Sequence, residues 1–180
     1  MNEEQIKRLR EVGESAMSSI VEMVAGLDRE TAARYFVEKL SDEEVNNLIA
    51  KHEIEADEGE TVEELRNRLF DGIEEESIEP DGFEFDEDAA RQAIEEDALS
   101  LEVRSGWYSP GSEDNKPEEF CLLLGTGGPA VRIIGDLDGG SPSNPKLQTQ
   151  DWFTPWTDYH TTSEEDDILQ KYCEVFYFGE

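Results

Sequence analysis

Apolar residues recur through the first hundred positions at helical spacing. Ile6, Leu9, Val12, Ala16, Ile20, Met23, Val24 and Leu27 form one stripe, the pattern of an amphipathic helix. A break at Gly26-Leu27-Asp28 follows, and Asp28 is placed to cap a second helix running to about Leu40, with Ala33, Phe36, Val37 and Leu40 on its inner face. Ser41 and Glu44, then Thr61 and Glu64, have the spacing of capping boxes. They precede Val45, Leu48 and Ile49 in one case and Leu65, Leu69 and Ile73 in the other. Asp86 opens a further helix carrying Ala89, Ala90, Ala93, Ile94 and Leu99. About five short helices are expected over residues 1–99, and pieces this short are stable only when packed together.

The period then changes to two. Leu101, Val103 and Trp107 alternate with Glu102 and Arg104, as in a half-buried strand. A polar loop from Ser109-Pro110-Gly111 to Lys116-Pro117 leads into the densest apolar run. Phe120–Leu124 and Ala130–Ile134 read as two central strands joined by a tight turn, Gly125-Thr126-Gly127-Gly128-Pro129. Asp138-Gly139-Gly140-Ser141-Pro142 is a second turn, and Lys146 to Phe153 a fourth strand. Connections this short favour an antiparallel meander. Thr162 and Glu165 cap a last helix with Ile168, Leu169, Tyr172, Cys173 and Phe176 inward, and the aromatic end Val175–Glu180 is expected to be tied down. The fold class expected is α+β: an acidic helical domain over 1–99, then a four-stranded antiparallel sheet with a C-terminal helix over 100–180.

Charge changes the picture most. The 180 residues hold 46 acidic and 15 basic side chains, a formal net charge of −31. Direct binding to DNA or RNA phosphates is not expected, because that requires clustered Lys and Arg. The natural partner of such a surface is basic, although a salt-adapted proteome gives the same composition. The acids concentrate in the stretch from Leu69 to Ala90. It lacks Lys and Arg and carries Asp71, Glu74, Glu75, Glu76, Glu79, Asp81, Glu84, Asp86, Glu87 and Asp88. Read plainly, this is a solvated face with an acidic loop. Read as a nucleic-acid mimic, carboxylates on a helix rising about 1.5 Å per residue approach the charge spacing of duplex DNA, about one per 1.7 Å.

The segment LSDEEVNNLIAKHEIEADEGETVEELRNRLFDGI (Leu40–Ile73) resembles the helix–extended turn–helix modules of the SAP and LEM type. That resemblance implies a local fold. Its DNA-binding surface is not carried over, since Glu53, Glu55, Asp57, Glu58 and Glu60 stand there. VRSGW (Val103–Trp107), TGGPAVRI (Thr126–Ile133), QDWFTPW (Gln150–Trp156) and YCEVFYFGE (Tyr172–Glu180) resemble a family of small phage- and plasmid-encoded proteins. Acidic mobile-element proteins of this type include inhibitors of host defence, among them type II-A anti-CRISPR proteins. The resemblance implies an anti-defence role and a partner that is a CRISPR effector nuclease with its guide RNA.

Other chemistry is thin. Cys121 and Cys173 lack ligand-like spacing and read as small buried hydrophobes. His52 and His160 read as surface or turn residues. The Gly125–Pro129 loop could approach an anion through backbone N–H groups, but lacks the Lys and helix of a P-loop. One or both of Arg104 and Arg132 are expected to pair with a carboxylate such as Asp151, or to line a substrate site. Trp152, Pro155 and Trp156 suit a core or rigid corner, or a partner contact if exposed. Asp136, Asp138, Asp151 and Asp158 could gather around Mg²⁺ in a nuclease acting on guide RNA. Met1–Arg10 is charged throughout and no run approaches the roughly 20 apolar residues of a membrane span, so the chain reads as cytoplasmic.

The leading expectation is a non-enzymatic inhibitor without cofactor, metal or catalytic residues. It would bind a basic nucleic-acid channel through the ten carboxylates of 71–88, with Arg104, Arg132, Asp151, Trp152 and Trp156 as further contacts. An anti-restriction DNA mimic, a carboxylate-dependent nuclease and an acidic structural or adaptor protein remain as alternatives.

Overall fold

The structure, a computed structural model, describes residues 1–57, 59–110 and 116–179. Glu58 of the acidic SAP/LEM-like turn, the loop residues 111–115 and the terminal Glu180 lie outside the described residues. Among the described residues six helices and five strands run in the order α1 (Glu3–Val24), α2 (Arg29–Lys39), α3 (Asp42–Lys51), α4 (Val62–Glu74), α5 (Glu87–Asp97), β1 (Ser100–Arg104), β2 (Glu119–Gly125), β3 (Ala130–Asp138), β4 (Ser141–Gln150), β5 (Thr157–Asp158) and α6 (Ser163–Cys173). The fold is α+β. Among the described residues no helix is long and apolar enough to cross a membrane.

The caps behave as the side chains require. Asp28 accepts from Thr31 N, and Ser41, Thr61 and Thr162 each form a complete capping box with the Glu three residues on. These hydrogen bonds hold the Glu44 and Glu64 carboxyls below the ordinary value.

Two compact units result. One comprises Met1–Val24 with Arg91–Glu180, the other Ala25–Ala90. They do not follow the expected division at 99/100, because α1 packs on β4 and α6 rather than on the other helices. Its stripe explains why: Leu9, Met17 and Ile20 are buried, and Gly13 gives the ring of Tyr159 room to approach. Thr149 Oγ1 on β4 donates to Leu9 O across this contact, 3.2 Å away.

The sheet is an antiparallel meander ordered β1-β2-β3-β4-β5, five strands rather than the four expected. Phe120, Leu122, Ile133 and Leu147 point to one face and are buried there, and α6 adds Leu169, Tyr172 and Cys173 to the same core. The β3–β4 hairpin is longer than the apolar run suggested. It turns at Gly139-Gly140, and β4 starts at Ser141, taking Pro142 and Pro145 into the strand. β4 stops at Gln150, so Asp151–Phe153 form a turn instead of strand, and the first strand ends at Arg104 rather than Trp107. Phe178 packs on Phe120 with ring centroids 4.7 Å apart, which secures the aromatic end.

In the other unit, Ala32, Ala33, Val37, Val45, Ile49, Leu65, Leu69, Ile73, Ile78 and Phe83 share one core. Arg66 ties it together from inside α4. Its guanidinium donates to Val37 O at 2.6 Å and Leu40 O at 2.8 Å, satisfying carbonyls at the end of α2, and pairs with Asp42.

Candidate partner-binding surfaces

The acidic run begins in the last turns of α4 and does not trail off as loop. After the C-cap Glu75 the chain reverses through Glu76, whose φ of +60° is a costly conformation for a residue with a Cβ. The reversal lays Ile78 against Gly72: Ile78 N donates to Gly72 O at 2.9 Å and Ser77 Oγ to the same oxygen at 3.0 Å. Only glycine fits at 72, because a Cβ there would press into the Ile78 side chain. Pro80 and Phe83 follow Ile78 into the unit. Phe83 meets Phe36 edge-on at 5.7 Å and lies beneath the Arg29 guanidinium at 5.2 Å.

These buried anchors alternate with the carboxylates and force them outward. All ten predicted acidic residues, Asp71, Glu74, Glu75, Glu76, Glu79, Asp81, Glu84, Asp86, Glu87 and Asp88, are exposed. Glu79 is held by Arg29 at 2.6 Å, and Arg29 also donates to Ile73 O. Asp81 is held by Lys51 at 2.6 Å, and that hydrogen bond and charge hold its carboxyl pKa below the usual value. Asp86 caps α5 by accepting from Ala89 N. Among the described residues, the side chains of Asp71, Glu74, Glu75, Glu76, Glu84 and Asp88 make no hydrogen bond or ion pair. Three of them, at 74–76, close a helix whose last turn carries no basic residue. Negative charge there opposes the helix dipole, a local cost that the fold does not relieve.

The sheet unit brings some of the remaining predicted residues together, though not in the expected pairings. Arg104 on β1 is ion-paired with Glu119 on β2, which raises the arginine and lowers the carboxyl. Arg132 on β3 has no carboxylate within ion-pairing distance among the described residues. Its Nε donates to Gln148 Oε1 at 2.8 Å, Gln148 donates in turn to Asp158 at 2.6 Å, and the guanidinium stacks over Trp156 at 4.2 Å. Asp151 therefore pairs with neither arginine. It is buried in the turn after β4, pairs with Arg8 of α1 at 3.2 Å and accepts from Trp152 N at 2.8 Å. Arg104 thus has a carboxylate partner as expected, but it is Glu119; Asp151 is taken by Arg8 because α1 packs on the sheet.

That turn presents aromatic side chains. Trp152 is 63% exposed and leans over Gly128 of the β2–β3 turn, where any Cβ would strike the indole. Phe153 is fully exposed at a φ of +64°. Pro155 is exposed and Trp156 half-buried under Arg132, so this corner is rigid at its base and open at its tip. The face of β1–β4 turned away from the helices holds a hollow of about 720 Å³ lined by Glu102, Arg104, Cys121, Arg132, Asp136 and Lys146 among others. Cys121 is half-buried there and desolvation raises its thiol, while Cys173 is fully buried.

Among the described residues no group of three or more His, Cys, Asp or Glu side chains is arranged to hold a metal ion. Asp136, Asp138, Asp151 and Asp158 are spread over β3, the turn after β4, and β5. His160 is exposed, whereas His52 is half-buried at the end of α3, its Nε2 without a partner among the described residues. The anchors Ile78 and Phe83 and the cations Arg8, Arg29 and Lys51 were not singled out from sequence. The visible trace was the pair of apolar side chains interrupting an otherwise acidic stretch. No protein-family model, no curated protein and no solved structure matches this chain.

Proposed function

We propose that this chain is a stoichiometric inhibitor of a nucleic-acid-targeting defence system. Its working surface is the carboxylate ribbon of residues 71–88. The observation that carries the reading is the ribbon's construction. Ile78, Pro80 and Phe83 are buried while all ten acidic side chains between them and around them are exposed. The charge is thus presented by a folded scaffold, which avoids the ordering cost a flexible acidic tail pays on binding. Six of the ten lack a partner among the described residues, so a basic surface gains their full attraction.

The target proposed is the nucleic-acid channel of a type II RNA-guided DNA nuclease with its guide RNA. The sequence resemblance over Val103–Trp107, Thr126–Ile133, Gln150–Trp156 and Tyr172–Glu180 supports that choice. The exposed Trp152 and Phe153 tip of the sheet unit offers an apolar contact in addition to the electrostatic one. The test is binding of the intact chain to the purified guide-loaded nuclease, with target DNA as competitor. Competition at stoichiometric amounts is expected. Loss of guide RNA on incubation with Mg²⁺, abolished by Asp151→Asn, would replace this reading with an enzymatic one.

A further inference from the structure

We infer that the free edge of β1 is a self-association site, where a second copy of this chain pairs strand to strand. The two edges of the sheet are built differently. β5 closes one side with two residues, whereas β1 leaves five at the other. Short strands, bulges, prolines and lysines are the usual protection of a sheet edge. Residues 100–104 contain neither Pro nor Lys, and their pairing with β2 is without a bulge. Among the described residues, the backbone hydrogen bonds of β1 run to β2 and to Glu118 just before it, all on one side of the strand.

The side chains agree with the backbone. Leu101 pairs with Leu122 and Val103 with Phe120, both buried, so they continue the core side of the sheet. Yet Leu101 is 38% and Val103 41% exposed, because α1 and α6 cover β3 and β4 and stop short of β1. Leu99, Trp107 and Tyr108 extend this exposed apolar margin.

The occupant follows from charge. Residues 99–108 contain one acid, Glu102, and one base, Arg104, and are neutral in a chain of −31. An antiparallel pair centred on Val103 sets Glu102 of each copy opposite Arg104 of the other, with Val103 against Val103. The alternative centred on Glu102 would oppose two carboxylates, which is destabilising. The strand is thus complementary to itself in one register.

Each copy carries −31, so long-range repulsion opposes the pairing and salt relieves it. Screening shortens from about 8 Å at 0.15 M to about 3 Å at 1 M salt. The expected dimerisation constant therefore tightens by about tenfold or more over that range. This sign is opposite to that of the inhibitory contact proposed above, so failure of one is distinguishable from failure of the other.

The experiment is sedimentation equilibrium of the intact chain over a concentration series at both salts. A dimer favoured by salt is expected. Val103→Lys, at an exposed position, should leave the circular dichroism unchanged and abolish it. Glu102→Arg should abolish it by opposing arginines at the paired positions, while leaving the Arg104–Glu119 pair within the sheet in place. A monomer at both salts would overturn the inference, as would a dimer indifferent to Val103→Lys or to Glu102→Arg.

Discussion

Gly72 and Ile78 form the joint from which the acidic ribbon hangs, and Gly72→Ala sets two effects against each other. Inside a helix, alanine is worth about 1 kcal/mol over glycine. A Cβ at 72 would, however, lie 2.9 Å from Ile78 Cγ1 and nearer still to Cδ1, where carbon atoms rest at about 3.5–4.0 Å. Ile78 has little freedom to retreat: it is 8% exposed and its N–H is bonded to Gly72 O. Overpacking of this kind costs about 1–3 kcal/mol. The steric effect wins over most of that range, and the net loss expected is about 0–2 kcal/mol. Ile78→Ala alone empties the notch at about 2–4 kcal/mol. In the double variant the new methyl at 72 meets no isoleucine and fills part of the vacated space. The combined loss should fall short of the sum of the singles by about 1–3 kcal/mol. Native-state amide hydrogen exchange on α4 is the suitable assay, because two compact units make one global unfolding free energy ill defined. Tryptophan fluorescence would miss the change, since Trp107, Trp152 and Trp156 all lie outside residues 25–90. Losses that add within about 0.5 kcal/mol would refute the proposed contact.

Further outcomes follow from the same geometry. Replacing Glu74, Glu75 and Glu76 together by Gln should raise the thermal midpoint by a few degrees, since those charges oppose the α4 dipole, yet weaken partner binding; a variant that is both stabilised and fully inhibitory would contradict the assignment. Asp81 has a lowered pKa, so the Lys51 pair contributes stability above the ordinary carboxyl value of 3.8 and loses it as pH falls through the lower, folded-state value. Nuclear magnetic resonance titration of its carboxyl should show that lowered midpoint, and Lys51→Ala should return it to the ordinary range. Tyr172 is fully buried and donates to Asp97 at 2.6 Å, and burial pushes its phenol far above the usual range. Of the five tyrosines, it should stay un-ionised in an alkaline ultraviolet titration until the sheet unit unfolds, and Tyr172→Phe should cost about 1–2 kcal/mol.

Local chemistry was the legible part of this sequence. Asp28, Ser41, Thr61, Asp86 and Thr162 each cap the helix their spacing announced, because a cap is a contact between residues three apart. The central strands were equally plain, since Phe120–Leu124 and Ala130–Ile134 fall within β2 and β3. Long-range choices were hidden. The stripe on α1 declared a buried face without saying that β4 and α6 would cover it, and Arg8 became the partner of Asp151 through that choice alone. Pro142 spoke for a turn, yet it lies in β4. β5, at two residues, is too short to leave a periodic signal. The acidic stretch was conspicuous as composition, but its scaffold was not. Ile78, Pro80 and Phe83 follow no helical or strand period; a reversal at Glu76 and the missing side chain of Gly72 place them.

In the proposed function, a scaffolded ribbon of carboxylates occupies a basic nucleic-acid channel. The most direct test of this is the affinity of the intact chain for a guide-loaded type II nuclease, measured across a salt series for the native protein and for a variant with Asp71, Glu84 and Asp88 changed to Asn, Gln and Asn. Affinity should fall steeply with salt in the native protein and with a shallower slope in the variant. Undiminished affinity at high salt, or identical slopes for the two proteins, would contradict it.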